Sequence, residues 1–181
     1  MRIIAGEMRG RKLKTVSGMD TRPTADKVKG AIFNVLREKV ANARVLDLFA
    51  GTGNLALEAL SRGAREVEIV EKAYLAQKVI QENLKLTGEA QAQLFSLDAF
   101  EFLKQYPEKM FDLIFLDPPY RQGLVTRALS MLSEPCRLTL AGVIVAETAS
   151  EEDLQVFEPF EIRKTSEYGN TKIWYIQRCM E

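Results

Sequence analysis

Residues 44–62 read RVLDLFAGTGNLALEALSR. From Arg44 to Phe49 the run is apolar apart from Arg44 and Asp47, as a strand buried on both faces requires. Gly51 and Gly53 then permit a sharp turn, and Leu55, Leu57, Ala59 and Leu60 recur at helical spacing over Asn54 to Arg62. A strand, a glycine turn and a helix open a βαβ unit, and such units build parallel sheets.

The same alternation continues downstream. Val67 to Val70 leads into a helix from Ala73 to Leu86, Gln93 to Leu97 into one from Ala99 to Gln105, and Phe111 to Leu116 into one from Gly123 to Leu132. Leu140 to Glu147 reads as a fifth strand, and a short acidic helix is expected over Glu151 to Val156. Phe160 to Tyr168 and Lys172 to Gln177, joined at Gly169-Asn170, predict an antiparallel hairpin. The expected architecture is α/β and Rossmann-like, with a seven-stranded, mostly parallel sheet that ends in this hairpin.

Upstream, Arg2 to Ala5 and Arg11 to Val16 are short strand candidates around a turn marked by Gly6 and Gly10. A helix is expected from Thr24 to Val40, through Val28, Ile32, Val35 and Leu36, with Thr24 as its cap behind Arg22-Pro23. No internal repeat or Pro/Gly/Ser-rich linker divides the 181 residues. One domain, 1–181, is therefore expected, with a basic extension over 1–43 and a catalytic body over 44–181.

The formal net charge is zero, with 25 basic and 25 acidic residues, but the two signs are segregated. Residues 1–44 carry 11 Lys or Arg against 4 Asp or Glu, a balance of plus 7, and residues 45–181 carry 14 against 21, a balance of minus 7. The chain has no histidine, which rules out Ser-His-Asp and Cys-His catalysis and any histidine-ligated zinc. Cys136 and Cys179 are too few and too far apart for a zinc ribbon or a disulfide framework. No metal site is expected. The absence of an apolar leader or of a long uncharged run predicts a cytoplasmic protein with no membrane partner.

In a doubly wound sheet, ligands bind beyond the carboxyl ends of the strands, so the residues that follow each strand are the candidates. The first group is Asp47 to Asn54, in which Gly51-x-Gly53-x-x-Ala56 also satisfies the dinucleotide fingerprint. Glu71 ends the next strand, 24 residues after Asp47, where a carboxylate can accept from the hydroxyls of a ribose. Asp98, in Leu97-Asp98-Ala99-Phe100, is placed to meet an adenine amine or to cap the helix that follows. Asp117-Pro118-Pro119-Tyr120 carries the most information. Its two prolines fix the backbone and remove two N–H donors, leaving carbonyls, one carboxylate and an aromatic face, a set suited to an exocyclic amine. Tyr120 is expected to stack on the base.

Asp47-x-Phe49-x-Gly51-x-Gly53, then Glu71, Asp98 and Asp117-Pro118-Pro119-Tyr120, in that order on successive strands, resemble the class I S-adenosylmethionine methyltransferases that modify amino nitrogens. Arg2-Ile3-Ile4-Ala5-Gly6, Arg9-Gly10-Arg11-x-Leu13, Arg22-Pro23-Thr24 and Phe33-Asn34-x-Leu36 narrow the resemblance to the RsmD family of small-subunit ribosomal RNA guanine-N2 methyltransferases. The resemblance implies that Asp47, Phe49 and Ala50-Gly51-Thr52-Gly53-Asn54 hold the methionine end of S-adenosylmethionine. It places Glu71 with Lys72 at the ribose and Asp98 with Ala99 at the adenine. Asp117, Pro118 and Tyr120 would receive the guanine, and Pro119, Arg2, Arg9, Arg11 and Lys12 would meet RNA, while Arg22 and Thr24 would contact the RNA or the cofactor's carboxylate, or simply start the helix. A monomer acting on ribosomal RNA, within a small-subunit assembly particle, is the implied arrangement.

Two other readings remain open on the residues alone. An NAD-dependent oxidoreductase fits the glycine turn and Glu71 but leaves the Asp-Pro-Pro-Tyr turn without a use. Adenine-N6 methylation of RNA or DNA shares the Asp-Pro-Pro-Tyr chemistry, since adenine also presents an exocyclic amine.

Overall fold

The computed structural model describes residues 1–16, 23–87 and 90–179. Among these residues seven strands and four helices follow one another as β1 (Arg44–Asp47), α2 (Asn54–Ser61), β2 (Glu66–Val70), α3 (Tyr74–Thr87), β3 (Ala92–Phe95), α4 (Ala99–Gln105), β4 (Phe111–Leu116), α5 (Leu124–Ser133), β5 (Leu138–Ala149), β6 (Phe160–Tyr168) and β7 (Thr171–Arg178). Helix α1 (Pro23–Leu36) precedes them. The sheet order is β3-β2-β1-β4-β5-β7-β6, parallel from β3 to β5 and antiparallel where β7 enters between β5 and β6. Strand order reverses between β1 and β4, which makes their carboxyl ends the expected ligand crevice.

Alternate residues of each central strand enter opposite cores. Val45, Ile69, Leu113, Phe115, Val143 and Val145 join the core under the N-terminal segment and α1–α3. Leu46, Val70, Ile114, Leu116, Ile144 and Ala146 join the core under α4 and α5. Burial on both faces is why these strands are continuous apolar runs. The edge strand β6 instead carries Glu161, Arg163, Lys164 and Glu167, charges that discourage pairing with another chain.

The N-terminal segment is tied to the body rather than extended from it. Its hairpin contains a single bridge, Arg2 with Lys12, instead of two strands, supported by Ile3 N donating to Arg11 O at 3.0 Å and Gly10 N to Ile3 O at 2.9 Å. Ile3, Met8 and Leu13 enter the first core. Glu58 of α2, with no exposed surface, accepts from the backbone of Ile4 at 2.8 Å and Ala5 at 3.1 Å. Glu58 also pairs with Lys29 at 3.2 Å and Arg62 at 2.8 Å. Lys29 Nζ donates further to Arg2 O and Asn54 Oδ1, each at 2.6 Å. A charge stays buried only when its donors and acceptors are matched, and this cluster matches them across four segments.

Three sequence expectations are corrected. Residues Glu151 to Val156 form no helix, because Glu152 folds its carboxylate onto the backbone N–H groups of Ala149 at 2.8 Å and Arg121 at 2.9 Å. Leu154, Val156 and Phe157 then pack on the second core from a loop. Helix α1 stops at Leu36, where Arg37 adopts φ 47°, and continues only as a 3₁₀ turn, Arg37–Val40. Strand β5 runs from Leu138 to Ala149, two residues beyond the expected strand at each end. Arg22 lies outside the described residues, and so does the side chain of Thr24, whose backbone falls inside the first turn of α1 rather than before it.

Gly6 and Gly10 both have left-handed backbones, φ 85° and 84°, but a Cβ at Gly6 would lie 1.7 Å from Ser61 O while one at Gly10 meets open space. Gly10→Ala should therefore cost only about 1 kcal/mol of backbone strain, whereas Gly6→Ala should cost about 3 kcal/mol or more. Urea unfolding of the two variants measures the difference, and equal losses would contradict the docking of this turn on α2.

Candidate active site

A cavity of about 1030 Å³ opens beyond the carboxyl ends of β1 to β5. It is lined by Asp47, Phe49 to Thr52, Asn54, Glu71 to Ala73, Asp98 to Phe100, Asp117 to Tyr120 and Glu147, among others. All the residues singled out after strands β1 to β4 thus reach one space, apart from Gly53, which works through the backbone.

Gly51 and Gly53 take φ 56° and 79°, and Gly53 N donates to Ala50 O at 2.8 Å as α2 begins. The turn is held from outside as well. Gly51 N donates to Glu71 Oε2 at 2.8 Å, the amide of Asn83 donates to Thr52 O at 3.3 Å, and Lys29 fixes Asn54. Burial disfavours the Lys29 ammonium, and the carboxylate of Glu58 opposes that effect.

Asp47 is 1% exposed. Its Oδ2 accepts from Ala56 N at 3.2 Å, and its buried Oδ1 has no hydrogen-bond partner among the described residues. Burial pushes its pKa up to about 7, with the negative charge of Glu71 adding to the effect. Glu71 accepts from Gly51 N and, through Oε1, from Ala73 N at 2.7 Å, leaving lone pairs on both oxygens for a further donor. Asp98 caps α4, its Oδ1 accepting from Phe100 N at 2.9 Å, while Oδ2 lies 3.8 Å from the exposed ammonium of Lys72. Phe49 meets Phe100 edge-on with centroids 6.1 Å apart, and Ala99 starts α4.

The register of β4 and β5 pairs Leu116 with Ala146, so Asp117 and Glu147 leave adjacent strand ends side by side. Asp117 has surface open to the cavity it lines, but protein surrounds that cavity. Burial raises its pKa well above the ordinary carboxylate value, and the negative charges of Glu147 and Asp47 raise it further. Tyr120 does not stand free to swing onto a ligand. Its hydroxyl donates to Glu147 and lies 3.1 Å from Thr171 Oγ1, and burial together with the Glu147 bond raises its pKa.

Sequence reasoning missed Glu147, Thr171 and Lys29. Glu147 ends the fifth strand as the sequence predicts it, Leu140 to Glu147, so the strand-end rule that found the other acids would have found it; in the structure β5 continues to Ala149. The basic hairpin is also not simply beside the cavity. Arg2 and Thr15 lie near its mouth, where Arg2 O holds Lys29 and Thr15 lines the wall. The tip, however, contacts the last turns of α2 and α3, through Met8 N to Ser61 Oγ at 2.9 Å and Arg11 Nη1 to Leu86 O at 2.6 Å. Helices α2 and α3 start at the cavity, so this end of the hairpin, with Arg9, Arg11 and Lys12 exposed, lies about 18 Å away along α3.

Among the described residues no group of three or more His, Cys, Asp or Glu is arranged to hold a metal ion. The donor set suits an organic cation instead. The unpaired Asp47 oxygen fits an ammonium group, Glu71 fits a diol, and the wall of Phe49, Leu97 and Phe100 fits a flat ring.

A family model described as Conserved hypothetical protein 95 matches residues 1–177. Ribosomal RNA small subunit methyltransferase D of Haemophilus influenzae is 36% identical over 173 residues, covering 93% of this chain and 89% of that protein. The chain belongs to the RsmD family. YlbH of Bacillus subtilis, provisionally named an rRNA methyltransferase, is 41% identical over 157 residues, or 85% of each chain. The solved structure of yhhF from Escherichia coli superposes with TM-score 0.88 at 31% identity, covering 98% of this chain and 97% of that one. Membership of a methyltransferase family decides against the oxidoreductase reading of the glycine turn.

Asp47 has a raised pKa, so the folded protein holds a proton between pH 4 and 7 that the unfolded chain has released, and stability falls as pH rises through that window. Asp47→Asn removes the titration. In the ligand-free protein it should flatten this slope and raise stability above pH 7 by up to about 4 kcal/mol, read from thermal unfolding across pH. An unchanged pH slope would contradict the burial of an ionising Asp47.

Proposed function

We propose that this chain transfers the methyl group of S-adenosylmethionine to the exocyclic N2 amine of a guanine in small-subunit ribosomal RNA. The observation that carries this reading is the convergence of Asp47, Glu71, Asp98, Asp117 and Glu147 on one cavity, in a member of the RsmD family. S-adenosylmethionine supplies an electrophilic methyl group on a cationic sulfonium.

In this reading Asp47 Oδ1 takes the ammonium of the methionine end and the Ala50 to Asn54 turn closes over it, with Phe49 packed behind. Glu71, with Lys72 beside it, takes the ribose hydroxyls, and the Asp98-Ala99 junction borders the adenine. Asp117 and the Pro118 carbonyl accept the hydrogens of the guanine amine, and Pro119 shapes the entrance. Holding both hydrogens turns the nitrogen lone pair toward the methyl group, and alignment of the two reactants provides most of the acceleration. As the N–C bond forms, the bond to sulfur breaks with its electron pair staying on sulfur. The nitrogen, acidic once it is cationic, then sheds one proton, which Asp117 is placed to accept. Its proton affinity, raised by burial and by the charges of Glu147 and Asp47, favours that transfer.

The target base reaches the cavity unstacked, while Arg2 near the mouth and Arg9, Arg11 and Lys12 at the far end hold phosphates about 18 Å apart along α3. Arg22 and Thr24 are assigned to the same strand of RNA.

Mass mapping of modified nucleosides in ribosomal RNA, from cells with and without the protein, tests the base and its position together. Loss of one N2-methylguanosine is expected; loss of an N6-methyladenosine instead would overturn the guanine assignment. Asp117→Ala should lower turnover by about 100-fold or more while sparing S-adenosylhomocysteine affinity measured by calorimetry; full activity would remove Asp117 from the chemistry. Replacing Arg9, Arg11 and Lys12 with Gln should weaken RNA binding and reduce its salt slope by about 2, whereas an unchanged slope would remove the hairpin tip from the RNA path.

A further inference from the structure

We infer that Glu147 selects the base, by accepting the N1–H of guanine while Asp117 and the Pro118 carbonyl accept its N2 amine. This inference rests on the proposed function and specifies how the same site tells guanine from adenine.

Glu147 lies near the carboxyl end of β5, next to Asp117 in the sheet, and lines the cavity. One oxygen is already committed. Tyr120 has a single hydroxyl proton and gives it to Glu147 Oε1, so the 3.1 Å contact with Thr171 must have the Thr171 hydroxyl as donor. The chain Thr171 to Tyr120 to Glu147 fixes the carboxyl group with Oε1 as an acceptor, and the Tyr120 bond favours the ionised form against the burial that raises its proton affinity; the base contact inferred here belongs to that ionised form. The second oxygen, Oε2, accepts no hydrogen bond from any described residue. Two acceptor groups, Asp117 and Glu147, are thereby held side by side at the end of the cavity that the Asp-Pro-Pro-Tyr turn forms.

The Watson–Crick edge of guanine presents adjacent donors, N1–H and the N2 amine. Adenine presents its N6 amine beside a bare N1 acceptor. An amine held by Asp117 and Pro118 therefore brings a donor to Glu147 if the base is guanine and a lone pair if it is adenine. The first completes a hydrogen bond, and the second sets two acceptors against each other in a crowded acid cluster. Sites built to hydrogen-bond a substrate group reject analogues that lack it far more strongly than apolar pockets reject a missing methylene.

The test uses RNA in which the guanine located by mass mapping is replaced by 2,6-diaminopurine, which keeps the N2 amine but has an unprotonated N1. Wild-type enzyme should show kcat/KM at least about tenfold higher on guanine than on diaminopurine. In Glu147→Gln the side-chain amide can donate to the bare N1, so the guanine preference should shrink by a further factor of about ten or invert. A purely structural role in holding Tyr120 would lower both substrates together and leave their ratio unchanged. A wild-type preference below tenfold, or a ratio that moves less than tenfold in the variant, overturns the inference. Should Glu147→Gln fail to fold, the wild-type comparison alone decides. Absence of any guanine methylation by the wild type would instead count against the proposed function.

Discussion

Asp47 closes β1, Asp117 follows β4 and Glu147 lies near the carboxyl end of β5, so the parallel register of these strands brings three carboxylates to one side of the sheet. Burial in a poorly solvated space raises the proton affinity of Asp47 and Asp117, and neighbouring negative charges add to it, Glu71 at Asp47 and Glu147 with Asp47 at Asp117. Nothing in the packing of the sheet calls for acids here, since the apolar residues just before them already fill both cores. Buried acids of raised proton affinity favour a ligand that brings positive charge and hydrogen-bond donors, and in the proposed function S-adenosylmethionine and an amino-bearing base supply these together.

Holding such a site open requires rigid walls, and much of that rigidity comes from the first fourteen residues. Lys29 bonds at once to the N-terminal segment, to the cofactor turn through Asn54, and to Glu58, which in turn anchors Ile4 and Ala5. Asn83 makes a parallel link, accepting from Lys14 N at 2.8 Å and donating to the carbonyls of Lys14 and Thr52. The basic hairpin is thus joined to the glycine turn after β1 by two polar bridges, through Lys29 and Asn83. In the proposed function, a change imposed on the hairpin by RNA would reach the turn through these bonds.

The sheet and the acids of β1 to β4 were legible in the sequence because each is a local pattern: an apolar run, a turn residue and a helix period. Asp98 was legible as a helix cap, because a carboxylate just before a helix accepts from its first free N–H groups. The polar bridges were not, since Lys29 meets Asn54 across 25 residues and Ile4 meets Glu58 across 54, separations that no local period encodes. The expected helix over Glu151 to Val156 failed for a related reason. Glu152 found backbone donors at Ala149 and Arg121, and that contact with a distant turn outweighed helix propensity. Tyr120 was identified as part of the site, but the partners of its hydroxyl were not legible, because Glu147 and Thr171 lie 27 and 51 residues away in the chain.

The most direct test of this account is proton exchange on ligand binding. S-adenosylmethionine titrated into the protein by calorimetry, in buffers of different ionisation enthalpy, reports how many protons leave or enter with it. Asp47, with its pKa near 7, must ionise to accept the ammonium, so binding just below pH 7 should release protons. Binding without proton release across that range, or with uptake, would contradict the claim that burial keeps a proton on Asp47 in the empty site and that a cationic ligand displaces it.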